Sequence, residues 1–362
     1  MPKKQLLIMP GDGVGPEIFT ALKPIVAWLQ SSMELDVKEA VSGYNAYLAH
    51  GTTLPRDTLS LALESDAVLF GAEDNEAFST LHPSERPPSA LLELRQALGV
   101  FANLRPVWIT PSLVNRSPLK PEVISGADFV VVRELLGGLY FGKPRGVETL
   151  PDGRRRGVDS LVYFSDEIER VARVAFELAR GRRNKLCSVD KGNVLATGAL
   201  WRDVVSSMGR SEYPDVELSH MYVDNCAMQL VRQPTQFDVI VTENTFGDIL
   251  SDCAAMIPGS IGMLPSASLA NQDEFGRRRG LYEPIHGSAP DIAGKNLANP
   301  IGTVLSLAMA LEHSLGVPEL AKRLARAVEE VLAAGTRTRD LGGDGTSGTR
   351  EMAQAIAERL QA

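Results

Sequence analysis

The chain has 362 residues, 44% of them hydrophobic and 23% charged, the balance of a water-soluble globular protein with room for two domains. Its 37 Lys and Arg against 45 Asp and Glu leave a formal charge of -8, so no nucleic-acid partner is expected and an anionic ligand needs a local basic cluster. Three dispersed cysteines without CxxC spacing and five histidines without HExxH argue against a disulfide scaffold or a zinc site, and the N-terminal apolar run is too short for a signal peptide or membrane span, which points to the cytoplasm.

The apolar run Gln5 to Met9 predicts a strand, followed by a glycine-rich turn and a helix over residues 17–29. That turn reads GDGVGP. The third glycine of a dinucleotide-binding GxGxxG is replaced by Pro16, so a Rossmann site is rejected here. A buried strand is predicted over residues 66–72, then a polar, proline-rich loop over 73–88. Leu91, Leu94, Leu98 and Phe101 recur at helical spacing, with Arg95 and Arg105 near the two ends. Guanidinium forks suit carboxylates. A strand over 128–133 delivers Arg133 and, past two glycines, Tyr140. The segments YFGKPRG and LVYFS read as a pair of arms joined by the turn PDGRRRG, whose arginines form a solvated tip.

Residues 166–180 set Ile168, Val171, Val174, Ala175 and Leu178 on one helical face. Strands are predicted over 185–190, 216–223 and 237–242, and just beyond their ends stand Lys191, Asp224 and Asp248. In α/β sheets, polar groups past the carboxyl ends of strands are where sites are built. Asp248 and Asp252 lie four apart on a helix expected to be capped by Asn244 or Thr245 and to run to Ala255, which places both acids on one face. Such a pair suits a hard cation, Mg²⁺ or Mn²⁺, as well as a plain acidic surface. The small apolar residues after Pro258 and Gly259 weigh against the surface. NQDEFGRRRG and LYEPIHGSAPDIAGKNLANP read as a polar loop and a long irregular segment, and helices are predicted over 301–315, 319–334 and 349–360. The alternation of strand and helix predicts an α/β fold, and the arginines and aspartates together suit a dicarboxylate held beside a divalent cation.

Over nearly the whole chain, from GDGVGPEI through LLELRQALGVFANLRPV, VVRELLGGLYFGKPRG, VDKGNVL, YVDNCAMQLV and NTFGDILSDCAAMIPGSIGMLPSASL to LYEPIHGSAPDIAGKNLANP and DLGGDGTSGT, the sequence resembles the β-decarboxylating 2-hydroxyacid dehydrogenases, the isocitrate/isopropylmalate group. The resemblance implies that family's two-domain α/β fold, not a Rossmann fold. It implies a discontinuous cofactor-binding domain over 1–101 and 258–362, and a second domain over 102–257 with the metal site, a dimer arm and a dimer interface. It further implies a homodimer with shared active sites. By motif, Arg95, Arg105 and Arg133 resemble the substrate-carboxylate clamps, and Asp248, Asp252 and the partner subunit's Asp224 resemble the ligands of Mg²⁺ or Mn²⁺, Asp224 also reaching the substrate. Lys191, again from the partner, resembles the base that takes the hydroxyl proton, and Tyr140 the residue that protonates the enolate. Leu91, Leu92 and Val194 resemble the wall of the substrate pocket.

The same resemblance assigns NAD to Glu283 and to the run from His286 through Gly287, Ser288, Ala289, Pro290, Asp291 and Ile292 to Asn299. Asp291 is expected to bind both ribose hydroxyls and to repel a 2′-phosphate, favouring NAD over NADP. The apolar Leu91 and Leu92 favour 3-isopropylmalate, hence leucine biosynthesis. A longer 3-alkylmalate, homoisocitrate, isocitrate or tartrate is the alternative, and a silent regulatory subunit a remote one. Three departures stand out: Pro88 where a glutamate is usual, Leu136 for threonine and Gly192 for alanine.

Overall fold

The computed structural model describes residues 3–74, 76–81, 85–273, 278–342 and 347–361. Parts of the loop over 73–88, of NQDEFGRRRG and of TRDLGGDGTSGT lie outside the described residues. Strands β1 (Lys4–Gly11), β2 (Leu35–Glu39) and β3 (Ala67–Ala72) come first. They are followed by β4 (Ala102–Trp108), β5 (Asp128–Glu134), β6 (Gly146–Thr149), β7 (Arg155–Val158), β8 (Lys185–Asp190), β9 (Glu217–Tyr222) and β10 (Val239–Thr242). Last come β11 (Pro265–Gln272) and β12 (Arg278–Pro284). The chain divides into two compact units, residues 1–100, 110–118 and 258–362 in one and 101–109 and 119–257 in the other.

In the first unit the strands run β2-β1-β3-β12-β11, parallel except for the antiparallel pair β11/β12. β3 reads AVLFGA and is buried along its whole length, as a strand covered on both faces should be. The helix Ile301–His313 covers it, and ten of its thirteen residues are buried, which explains why it is apolar all round. Where one N-terminal helix was expected, there are two, Gly15–Ala21 and Lys23–Ser32, because Pro24 cannot continue the first helix and starts the second at its first turn. The helix over Ala90–Leu98 stops at Gly99, whose φ of 65° makes a left-handed cap, so Phe101 and Arg105 fall beyond it rather than on it. LYEP, read as irregular, is the inner end of β12, buried at all four residues where it pairs with β11 and, at Leu281 and Tyr282, with β3.

In the second unit the order is β4-β5-β10-β8-β9, with β4 antiparallel and the rest parallel. The runs VVV in β5 and VIVT in β10 are buried on both faces, with the helix Ser165–Arg180 burying Ile168, Val171, Val174 and Phe176 against them. Each such side chain contributes about 1.5–3 kcal/mol on leaving water. The expected arms are shorter than read. YFGKPRG begins on the last residue of a 3₁₀ turn, Gly138–Tyr140, and reaches a strand only at Gly146, LVYFS leads into a helix, and β6 and β7 pair as an exposed hairpin.

Candidate active site

Four parallel strands end on one edge of the second unit's sheet, and their carboxyl ends set the site. Arg133 is the last residue but one of β5, and its register partner on β10 is Thr242. The helix Asn244–Ala254 starts directly after β10, so Asp248 arrives one turn later beside Arg133. The guanidinium of Arg133 donates from Nε (3.0 Å) and Nη2 (2.8 Å) to Asn244 Oδ1, and from Nη1 to Asp248 Oδ1. Gly247 makes this approach possible, since a Cβ there would lie 2.6 Å from Arg133 Cγ. Arg105 enters from β4. It donates to Asn103 Oδ1 at 2.9 Å, to Ser251 Oγ at 2.7 Å and to Asp252 Oδ1 at 3.1 Å, and its Nη2 lies 3.5 Å from Asp248 Oδ1. The Tyr140 hydroxyl donates to Asp248 Oδ2 at 3.0 Å. One carboxylate therefore gathers two buried guanidinium groups and a phenol. Burial, then the Asp248 charge, hold the Tyr140 phenol above its ordinary pKa, so it is a neutral proton donor at physiological pH. Burial also pushes the Asp252 carboxyl up, against the pull of Arg105 and with the repulsion of Asp248.

Residues that sequence reasoning passed over fix this cluster. The helix is capped not by Asn244 or Thr245 but by Glu243, whose carboxylate accepts from Thr245 N at 3.1 Å and Phe246 N at 2.7 Å. Asn244 is thereby left to serve Arg133 and the carbonyl of Gly137, 3.0 Å away. Glu134 accepts from Leu136 N and Gly137 N at 2.9 and 2.8 Å and so shapes the turn that delivers Tyr140. Tyr163 joins the two acids: its hydroxyl lies 3.2 Å from Glu134 Oε2 and 3.3 Å from Glu243 Oε2 and accepts from Asn244 N at 3.0 Å. Burial raises the pKa of both carboxyls and of the phenol. The available signal was an acid immediately before a helix start, the usual place for a cap.

Lys191 follows β8 and Asp224 follows β9, and the Lys191 ammonium donates to Asp224 Oδ1 at 2.6 Å, which lowers the pKa of that carboxyl. Val194, in the same turn as Lys191, is exposed. Among the described residues no three His, Cys, Asp or Glu side chains are grouped so as to hold a metal, so Asp224 does not join Asp248 and Asp252 within the chain.

In the first unit, Arg95 is buried and its Nη2 donates to Glu283 Oε1 at 2.5 Å, so Glu283 is occupied by an arginine 188 residues earlier in the chain. Glu73 accepts from Ser89 Oγ at 2.5 Å and Ala90 N at 2.7 Å and anchors the start of the helix bearing Leu91, Leu92 and Arg95. Leu91 is half-buried and Leu92 exposed. The glycine turn after β1 touches the segment assigned to the cofactor: Val14 N donates to the Ser288 carbonyl at 2.8 Å, and a Cβ on Gly13 would lie 2.0 Å from that oxygen. Its neighbour Asp12 accepts from the backbone of Tyr44, Asn45 and Asp74. The turn's glycines thus serve close backbone packing. Around it, Gly287, Pro290 and Asp291 are exposed, Ile292 is half-buried and Ala289 takes a left-handed φ of 41°. Lys295 donates to the Asp291 carbonyl, and Asn299 is held by Asp340 and Ile301 N. His286 donates through Nδ1 to the Gly287 carbonyl at 3.0 Å, while its buried Nε2 has no partner.

Two carboxylates on a helix face, guanidinium groups among them and a neutral phenol form a cluster suited to acid–base chemistry on an anionic ligand, and Lys191 with Asp224 forms a second polar pair. Residues 5–356 match the family described as isocitrate/isopropylmalate dehydrogenase. Relatives named 3-isopropylmalate dehydrogenase include one from Paramagnetospirillum magneticum, 51% identical with 99% of each chain covered, and one from a Synechococcus strain, 55% identical over 98% of this chain and 93% of that one. Among solved structures, an isocitrate dehydrogenase from Methylococcus capsulatus superposes with a TM-score of 0.87 at 34% identity, covering 99% of this chain and all of that one. A β-decarboxylating dehydrogenase from Thermococcus kodakarensis gives 0.78 at 33% identity, with 99% and 96% covered. The chain belongs to the isocitrate/isopropylmalate dehydrogenase family, and dehydrogenase chemistry is its class. No helix among the described residues is long and apolar enough to cross a membrane.

Proposed function

We propose that the chain is an NAD- and divalent-metal-dependent dehydrogenase that oxidises and decarboxylates 3-isopropylmalate in leucine biosynthesis, working in the cytoplasm as a homodimer with shared active sites. The observation that carries this reading is the convergence of Arg105, Arg133 and Tyr140 on Asp248, beside Asp252. The donors fit the two groups the reaction requires. Asp248 and Asp252 are hard oxygen ligands on one helix face, suited to Mg²⁺ or Mn²⁺. The unpartnered Nε2 of His286 and the exposed Asp291 carboxylate suit the nucleoside end of NAD, and Ser288 and Asn299 hold that segment in shape. That Asp224 stands apart from the other two acids supports a metal set completed across a dimer.

When bound, NAD takes up the hydride and the divalent cation polarises the C2 hydroxyl and spreads the negative charge left by decarboxylation. The chain does the rest. Arg95, Arg105 and Arg133 bind the substrate carboxylates. Lys191 takes the C2 hydroxyl proton as that carbon loses its hydride, giving a β-keto acid. The carboxylate on C3 leaves as CO₂, its bonding pair becoming the enolate, and the Tyr140 hydroxyl returns a proton to C3. Leu91, Leu92 and Val194 offer the apolar surface for the alkyl arm. Such a pocket separates neighbouring alkyl groups by only about 1–3 kcal/mol, so longer 3-alkylmalates should also turn over, more slowly.

Initial rates with 3-isopropylmalate, a longer 3-alkylmalate, homoisocitrate, isocitrate and tartrate, each with NAD and with NADP, test the reading. The expected order puts 3-isopropylmalate with NAD first. A higher kcat/KM on isocitrate, or with NADP, would contradict it.

A further inference from the structure

Lys191 and Asp224 are poorly held by their own packing. Their side chains are 26% and 63% exposed, so the position of the pair depends on the backbone at the ends of β8 and β9. Those ends are tied together by one residue. Asp190 and Tyr222 are register partners, each the last residue of its strand, and Lys191 and Val223-Asp224 follow directly. Arg202, one and a half turns into the helix Ala196–Ser211, forks onto Asp190, with Nε at 2.9 Å from Oδ2 and Nη2 at 3.2 Å from Oδ1. Its guanidinium carbon also stands 4.7 Å from the centre of the Tyr222 ring. Asp190 is buried, and its Oδ1 accepts from Gly192 N at 2.7 Å, which closes the turn around Lys191. Four residues along the same helix, Ser206 Oγ lies 2.9 Å from His220 Nε2, a second tie between that helix and β9.

We propose that Arg202 is a positioning residue for the reaction, clamping the ends of β8 and β9 so that Lys191 and Asp224 are presented as one unit. The inference rests on the roles given above to that pair. Bidentate contact to Asp190 and stacking on Tyr222 both need a planar fork, which a lysine ammonium cannot supply. Outer groups of this kind typically change metal affinity or activity by about 10–100-fold when removed.

The test uses the full-length, metal-loaded enzyme with Arg202→Met and Arg202→Lys. In both, kcat should fall by about 10–100-fold and the Mn²⁺ concentration for half-maximal rate should rise. The KM for 3-isopropylmalate and the affinity for NADH should stay near wild type, and the raised Mn²⁺ requirement is the change that mere loss of folded enzyme would not produce. Should Arg202→Met fail to fold, Arg202→Lys and Tyr222→Leu, which removes only the stacked ring, carry the same comparison. A wild-type kcat and Mn²⁺ requirement in the folded variants would overturn the proposal, even with a lowered melting temperature. Lys191→Met is measured alongside. If it is inactive while the Arg202 variants are normal, the clamp alone fails; if Lys191→Met turns over normally, the assignment of Lys191 fails and takes the clamp with it.

Discussion

At the scale of the residue, Asp248 is the hub. It takes hydrogen bonds from Arg133 Nη1 and the Tyr140 hydroxyl and faces Arg105. On the proposed reading, a cation held by Asp248 and Asp252 would compete with the guanidinium groups for those oxygens and leave Arg105 and Arg133 to a substrate carboxylate. Metal and substrate should therefore bind with positive coupling. Titration calorimetry with Mn²⁺ present is expected to give a Kd for 3-isopropylmalate about 5–150-fold lower than with the metal chelated. Equal values would mean that the arginines are not held in reserve by the aspartates. Arg133→Lys should raise KM by about 10–100-fold, the equivalent of about 1.5–3 kcal/mol for a lost charge-assisted contact, because an ammonium cannot serve Asn244 and a carboxylate at once. An unchanged KM would remove Arg133 from the substrate's binding groups.

The element that organises the site is the helix Asn244–Ala254. Its Gly247 should be worth about 1 kcal/mol less than alanine in an exposed helix, yet a Cβ there would meet Arg133 Cβ and Cγ at 2.8 and 2.6 Å, near the backbone end of a side chain that cannot swing away. Overpacking of that kind typically costs about 1–3 kcal/mol. Gly247→Ala is thus expected to lower the melting temperature and raise the substrate KM together; a stabilised variant with normal KM would show that Arg133 does not need this approach. Glu243 gives the element a pH signature. Burial raises its carboxyl above the unfolded value, so the folded state binds the proton more tightly. Its contribution is fully present below the unfolded pKa and is lost as pH rises through the higher folded one. Glu243→Gln removes that titration. The melting temperature of the variant minus that of the wild type should rise between acidic and neutral pH, and a difference independent of pH would contradict it.

This helix also shows what a sequence discloses. The spacing of Asp248 and Asp252, the start after an apolar strand and the family motifs around both were legible, because strand and helix periodicities are local. The cap was misread, since Asn, Thr and Glu all sit at its start and the choice is made by Arg133, which claims Asn244 from 111 residues away in the chain. The split of the first helix at Pro24 was visible in the sequence and outweighed by its apolar pattern. β11 and β12 were missed because the prolines, Ala267 and Glu283 in them disfavour strands, and it is pairing within the sheet that makes them strands. The pairing of Tyr163 with Glu134 and Glu243, and of Arg202 with Asp190 and Tyr222, has no local signature.

At the scale of the whole molecule, one chain carries Arg105, Arg133, Tyr140, Asp248 and Asp252 as one set and Lys191 with Asp224 as another, with no three-acid group among the described residues. If each active site takes one set from either subunit, inactive variants should rescue one another. Lys191→Met mixed in equal amounts with Asp252→Asn, dissociated and reassembled, gives mixed dimers with one intact site, and about a quarter of wild-type activity should return. No recovery, with mixed dimers present, would place the whole site within one chain. The most direct measurement is the stoichiometry of the reaction itself: NADH and CO₂ released from 3-isopropylmalate with NAD and Mn²⁺. The arrangement predicts equal amounts of both, neither formed by Lys191→Met. NADH without CO₂, or no NADH from this substrate while isocitrate reacts, would contradict it.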